Sequence, residues 1–424
     1  MVLTARRWFI FCFVLILGAF AMALLGQRGS YLAVVLGDVP FLLMVLTVAG
    51  LFVQNAWRSR DEQRLFWGLL ALGSLLWAGN AGSWVYFEVI MRQVVPQIDP
   101  FDILLFLHIV PFMAAVALRP HRFADIHSRR LRGIDLLLLG IFWVYLYAVI
   151  VFTNEYIERD LLAFGPRFDQ LYAVEIGLVV VMLAGLAWGA RGAWRKIYVH
   201  LLLVNVLYLI VSSRINLTIT SEEYVSGNIS DGFLMISVCW FGWVALKARE
   251  LDLESEALPP RRKCPDVLAS RLATLAMLAV PVIGTWTLYL DPSLPQLRVF
   301  RLGVTLLTIL TMGFIVFTRQ FLQERWMVRL LQDSEDHVQN LQRLQHQLVQ
   351  REKLASLGQL VAGAAHEINN PLTVIVGYSE LLAGRGDLPL EAKSWAEKIR
   401  QQGQRTSDLV SDLLRFARDR TSVV

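Results

Sequence analysis

The stretch Glu352 to Leu382 reads EKLASLGQLVAGAAHEINNPLTVIVGYSELL. Leu354, Leu357, Val361, Ala364 and Ile368 recur at intervals of three and four, the spacing of an apolar seam on a coiled-coil-like helix. His366 falls off that seam. It takes an outward position, with Glu367 beside it and Asn370 one turn on along roughly the same face. A purely structural histidine sits more naturally on the apolar side. An outward imidazole next to a carboxylate suits nucleophilic work, because a carboxylate on one ring nitrogen fixes the tautomer and leaves the other lone pair free to attack. Pro371 removes a backbone donor and is expected to kink the helix just after the site.

The run His366 to Leu372, HEINNPL, closely resembles the H-box of sensor histidine kinases, within the dimerisation and phosphoacceptor domain of two-component signalling. The resemblance covers Arg351 to about Arg418. It implies that His366 accepts the γ-phosphoryl group of ATP, that Glu367 acts as general base or orienting group, and that Asn370 positions water when the partner regulator is dephosphorylated. It further implies a protein-histidine kinase that uses ATP and Mg²⁺. Its partner is a response-regulator receiver domain, docking around Leu372 to Leu382 and Ala396 to Gly403 and taking phosphate on an Asp. Kinases of this family continue into an ATP-binding domain. No Walker-type Gly-x-x-x-x-Gly-Lys motif, kinase glycine-rich loop or Asp-x-Gly-x-Gly pattern occurs in these residues. The chain by itself is therefore expected to be inactive with ATP. The missing domain acts in cis, if these residues are a fragment or a truncated product, or in trans.

Ahead of the H-box the sequence has the character of a membrane protein. The hydrophobic fraction of the whole chain is 56% and its mean hydropathy +0.51, with long apolar runs through the first three quarters. About ten spans are expected, give or take one: Trp8 to Leu25, Leu32 to Val53, Leu65 to Ile90, Phe101 to Leu118, Ile134 to Phe152, Leu171 to Ala190, Ile197 to Ile215, Gly232 to Leu246, Leu272 to Leu290 and Val299 to Phe317. Bases gather in alternate connections. Arg6 and Arg7 precede the first span; Arg58, Arg60 and Arg64 follow the second; Arg119, Arg122, Arg129, Arg130 and Arg132 follow the fourth. Arg191, Arg195 and Lys196 follow the sixth, and Lys247, Arg249, Arg261, Arg262 and Lys263 the eighth. The connections Asn216 to Asp231 and Thr153 to Asp169 are poorer in bases. By the positive-inside rule both termini are cytoplasmic, in a multi-pass protein of the bacterial inner membrane. These inner loops account for the net charge of +5, which gives no ground for nucleic-acid binding. Arg6, Arg7 and the following apolar run also suit a secretory signal. Cys12, Cys239 and Cys264 suggest neither a disulfide framework nor a metal site. Asn216 and Asn228 sit in glycosylation-type triplets, a pattern common by chance.

The fold class is all-α: a transmembrane bundle over residues 1–318, a cytoplasmic signalling helix over 319–350 and a phosphoacceptor hairpin over 351–420. Glu250 to Asp266, with Pro259, Pro260 and Pro265, reads as an inner loop. Arg319 to Leu357 contains neither Gly nor Pro, and its apolar positions keep helical spacing, so it reads as one unbroken helix. The apolar phase shifts between Leu348 and Leu354, as a coiled-coil stutter does; a switch and a packing irregularity both fit. A loop with Gly384, Gly386 and Pro389 follows the H-box helix, with Asp387 as the expected cap of the next. There Ala392, Trp395, Ile399, Gln402, Thr406, Leu409, Leu413 and Phe416 form a seam, so two hairpins are expected to pair as a homodimeric four-helix bundle.

Ionisable residues in apolar spans are costly and commonly functional. Asp38, Glu88, Asp99, Asp102, Glu175, Arg214, Asp231 and Arg301 all fall toward the outer side of this topology, among helices carrying Trp77, Trp84, Trp143, Tyr145 and Tyr147. An outward-facing polar pocket lined by aromatics is expected, with Asp38, Glu88, Asp102, Glu175 and Asp231 as its signal-site candidates. Interfacial placement against membrane lipids explains the same residues. A transporter-like receptor carrying a phosphoacceptor tail, without kinase activity of its own, is the rival reading; the H-box argues against a carrier acting alone.

Overall fold

The computed structural model describes residues 4–25, 29–96, 99–120, 126–158, 161–221, 223–251, 253, 268–289, 295–387 and 389–422. Among the described residues the chain forms helices and no strands, in keeping with the all-α expectation. The order is α1 Ala5–Leu25, α2 Tyr31–Arg58, α3 Asp61–Trp84 with a π-helical extension Val85–Ile90, α4 Asp102–Leu107 and α5 Ile109–Leu118. There follow α6 Ile126–Leu146 with a π-helical extension Tyr147–Glu158, α7 Leu161–Gly189, α8 Gly192–Thr220 and α9 Ile229–Lys247. The last three are α10 Leu268–Tyr289, α11 Pro295–Ala383 and α12 Leu390–Ser422. The chain divides into two compact units, Met1–Gln323 and Glu324–Val424.

In the first unit, nine of the described helices are long and apolar enough to cross a membrane. The expected fourth span is the exception. Asp102–Leu118 is shorter and is interrupted at His108. Pro111 explains the break: it has no N–H to return to the Leu107 carbonyl, so the i to i−4 ladder fails there. Two expected connections are also corrected. Thr153 to Asp169 is mostly helix, belonging to the extension of α6 and the start of α7, and Asn216 lies inside α8. Hydropathy marks the apolar middle of a helix and is silent about polar turns that continue it.

The glycosylation-type triplets are accounted for structurally. Asn216 is 8% exposed, and Asn228 caps α9 in a reciprocal capping box with Asp231. Most of the expected loop from Glu250 to Asp266 lies outside the described residues, as do Arg122 and the side chains of Arg129, Arg130, Arg132 and Phe416.

Packing between the apolar helices relies on close approach at small residues. A Cβ on Gly242 would sit 2.4 Å from the Trp8 ring, and that indole, 0% exposed, donates to the Cys239 carbonyl at 2.9 Å, locking α1 to α9. Gly227 adopts φ +82°, and a Cβ there would come 2.6 Å from the Ala33 carbonyl oxygen. Near the other end of α9, Asn55 Nδ2 donates to Ala245 O at 2.8 Å, while Arg249 Nε donates to Asn55 Oδ1 at 2.7 Å and Nη2 to Gln54 Oε1 at 3.0 Å. This clasp fixes α2 against the end of α9. A further pair, Arg319 with Asp135 at 2.7 Å, ties α6 to α11 within the same unit.

The second unit is a helical hairpin. The stretch Arg319 to Leu357 lies wholly within α11, which continues through Pro371 to Ala383. Gly384 N donates to Glu380 O at 3.0 Å and ends the helix. The expected cap is corrected: α12 starts at Leu390, directly after Pro389, and Asp387 instead pairs with Arg385 at 3.8 Å. Proline suits a helix start because the first N–H groups have no partner in the helix.

Candidate functional site

Two places gather the residues singled out in the sequence. The first is the hairpin. Its two helices meet along small residues: Ala365, Ser379 and Ala396 are 2%, 4% and 5% exposed, and a Cβ on Gly403 would lie 2.7 Å from Val376 Cγ2. Ser407 Oγ donates to Asn369 Oδ1 at 3.4 Å across the hairpin. Arg400 grips Glu397 on its own helix through Nε at 2.8 Å and Nη2 at 2.6 Å, and reaches Glu380 of α11 at 3.9 Å. The Arg400 guanidinium holds the Glu397 carboxyl below the usual carboxylate range.

That inward seam fixes what faces out. Ala365 and Asn369 point toward α12, so His366, Glu367 and Asn370 stand exposed on the surface of α11. The helix thus presents the imidazole to solvent with a carboxylate at the next residue. The large apolar positions read as a seam are also exposed: Leu357 at 57%, Ile368 at 45%, Trp395 at 62%, Ile399 at 51% and Leu409 at 63%. They are not the contact between α11 and α12, which the sequence reading missed because it weighted large side chains over Ala, Ser and Gly.

The residues here do not fit ATP and Mg²⁺. His366 is flanked by Ala365 and Glu367, with no glycine-rich phosphate loop in the sequence around it, and no three His, Cys, Asp or Glu side chains come close enough to hold a metal ion among the described residues. No step is assigned to nucleotide-binding groups of this hairpin.

The second place is a cavity of about 100 Å³ in the helical bundle. Asp38 of α2, Trp77, Asn80 and Trp84 of α3, Tyr172 of α7, Tyr208 and Asn216 of α8, Tyr224 and Asp231 all line it. Asp231 is anchored by Tyr224 Oη, which donates to Oδ1 at 2.8 Å, and by the N–H groups of Gly227 and Asn228, which donate to Oδ2 at 2.7 and 3.1 Å. Burial, then the Asp231 carboxylate, push the Tyr224 phenol well above its ordinary value, so it stays a donor. Glu88 lies close enough to Asp38 and Asp231 to act on both electrostatically.

Other candidates lie elsewhere. Asp102 opens α4 and Asp99 Oδ1 accepts from Phe101 N at 3.1 Å. Glu175, 0% exposed, is not in the cavity lining; it lies behind, near Tyr172 and Tyr208. Arg214 is exposed, and Arg301 donates to Thr153 Oγ1 at 3.3 Å. Trp143 donates to Met113 Sδ, and Tyr145 to the Val280 carbonyl, at a different part of the bundle. The sequence reading missed Asn80, Tyr172, Tyr208 and Tyr224. Asn80, a bare amide inside an apolar run, was the readable signal among them.

Residues 356–422 match the profile of the family described as His Kinase A (phospho-acceptor) domain. The chain is 37% identical over 82 residues to Sensor histidine kinase ZraS of Escherichia coli O157:H7, covering 19% of this chain and 18% of that protein. It is 36% identical over 78 residues to Signal transduction histidine-protein kinase AtoS of Escherichia coli strain K12, covering 18% and 13%. It is 38% identical over 96 residues to C4-dicarboxylate transport sensor protein DctB of Rhizobium meliloti, covering 21% and 15%. The chain therefore spans less than a fifth of the length of these relatives. No solved structure matches. The region carrying His366 is therefore similar to the His Kinase A (phospho-acceptor) domain and to the matching stretch of sensor histidine kinases.

Proposed function

We propose that this chain is a membrane sensor histidine kinase in which residues 1–318 receive a signal, 319–350 convey it and 351–420 form the dimeric phosphoacceptor domain. The observation that carries the reading is the exposed His366–Glu367 pair on a hairpin matching that domain family. A neutral imidazole offers a lone pair to phosphorus. Glu367 orients the ring and accepts the proton lost as the N–P bond forms. The donor is Mg²⁺-ATP bound by a separate ATP-binding domain, in cis or in trans; its γ-phosphoryl P–O bond breaks to release ADP as the N–P bond forms. The phosphoryl group then passes to an Asp of a response-regulator receiver docked at Leu372 to Leu382 and Ala396 to Gly403, and Asn370 positions water for the reverse, phosphatase reaction.

Three measurements test this reading. Incubation of the full chain with γ-labelled ATP and an ATP-binding domain from a related kinase is expected to give acid-labile label. His366→Gln is expected to remove it, and label persisting in that variant would refute the assignment.

Dimerisation follows from the apolar stripe that one hairpin leaves exposed. Trp395, Ile399 and Leu409 need a partner surface, and a second copy supplies an identical one. Sedimentation of residues 324–424 is expected to show a dimer that Leu409→Glu weakens by at least about tenfold, since a carboxylate would be buried without a partner. Leu409 is 63% exposed in the single hairpin, so its helicity should survive; an unchanged dimer would contradict the seam.

Alternating basic connections support an inner-membrane orientation with both termini cytoplasmic. Reporter fusions after Arg130 should report cytoplasm and those after Gly227 the opposite side. A cytoplasmic signal at Gly227 would overturn the orientation.

A further inference from the structure

The cavity between α2, α3, α8 and α9 has a composition that narrows what it accepts. Asp38 and Asp231 bring carboxyl groups to its wall, and none of its lining residues is Lys, Arg or His. Glu88 adds a third carboxyl acting on both. Asp231 is engaged by three donors, and the carboxyls of Asp38 and Glu88, shut off from solvent at Oδ2 and Oε2, are hydrogen-bonded to each other, which requires a proton shared between them. Asn216, 8% exposed and part of the lining, is turned to the Asp169 carboxylate, with which its side chain is hydrogen-bonded.

The remaining wall is aromatic. Trp77 and Tyr208 pack edge to face with centroids 5.0 Å apart, and Trp84 and Tyr224 do so at 5.6 Å. Tyr172 Oη and Tyr208 Oη are hydrogen-bonded at 2.5 Å, which holds α7 to α8 beside the cavity. Ring faces and carboxylates share one preference: both attract a positive charge, and rings do so best when the cation is weakly hydrated. A metal ion is disfavoured, because no three His, Cys, Asp or Glu side chains converge at coordinating distance among the described residues. A volume of about 100 Å³ leaves room for a small alkylammonium ion.

We propose that this cavity binds a small organic cation, an alkylated or primary ammonium group, with Asp38 in its wall, backed by Glu88 outside the lining, as the acidic partner and Trp77 and Trp84 as its aromatic walls. The inference deepens the sensor reading by giving the class of signal, yet it is tested by binding alone, so failure of phosphotransfer leaves it intact.

The test uses the full chain in lipid nanodiscs, titrated with tetramethylammonium and methylammonium chloride while tryptophan fluorescence is followed. Tert-butanol serves as a neutral analogue, and sodium and magnesium chloride as inorganic controls. The expected result is a saturable change with at least one ammonium salt and none with the controls, with affinity at least about tenfold weaker in Asp38→Asn and in Trp77→Leu. No saturable change with either ammonium salt, an equal response to tert-butanol, or an equal response to sodium or magnesium would overturn the proposal. Undiminished affinity in folded Asp38→Asn would do the same. If neither variant folds, the wild-type comparison of ammonium salts with the controls decides.

Discussion

An apolar helix long enough to cross a bilayer satisfies its backbone internally and meets its neighbours mainly through featureless apolar contacts. Directional contacts between such helices come from the few polar side chains and from glycines that let backbones approach. The first unit is organised by that constraint. Trp8 reaches the Cys239 carbonyl past Gly242, Asn55 and Arg249 clasp α2 to α9, and Tyr172 meets Tyr208 between α7 and α8. A polar group in such a setting either makes one of these clasps or is left over. The carboxyls of Asp38 and Glu88 meet each other instead of a base, which leaves the cavity beside them acidic and walled by Trp77 and Trp84.

The hairpin obeys the opposite logic. It stands in a unit whose large apolar residues are exposed, and its internal contact is narrow, made by Ala365, Ser379, Ala396 and Gly403. Small residues bring α11 and α12 close and rotate the bulky ones outward. The same rotation sets His366 on the surface, one residue beyond the buried Ala365. Acceptor exposure and the exposed apolar stripe are thus two consequences of one helix phase.

How much of this was legible in the sequence differs by region. The H-box was, because histidine, carboxylate, amide and proline at fixed spacing are chemically specific. Helix existence in the first unit was legible from apolar runs, but their ends were not. α7 starts at Leu161, well before the apolar run at Leu171, since Gly165, Pro166, Arg167 and Asp169 interrupt the apolar pattern without ending the helix. The split of Asp102–Leu118 at His108 turned on one proline inside an apolar run. Asp38 and Asp231 were readable as isolated charges, whereas Tyr172, Tyr208 and Tyr224 were not, because tyrosine is ordinary at helix ends and only the fold brings these three to one cavity.

The central claim is that His366, and no other exposed histidine of α11, carries the phosphoryl group. His337 and His346 lie on the same helix and are also exposed, so they are internal controls for mere accessibility. Electron-transfer fragmentation of the full chain, phosphorylated by a related ATP-binding domain and kept at alkaline pH, locates the added mass directly. The account predicts that it falls between the fragments bracketing His366; added mass on His337, His346 or a hydroxyl residue, with His366 unmodified, would contradict it.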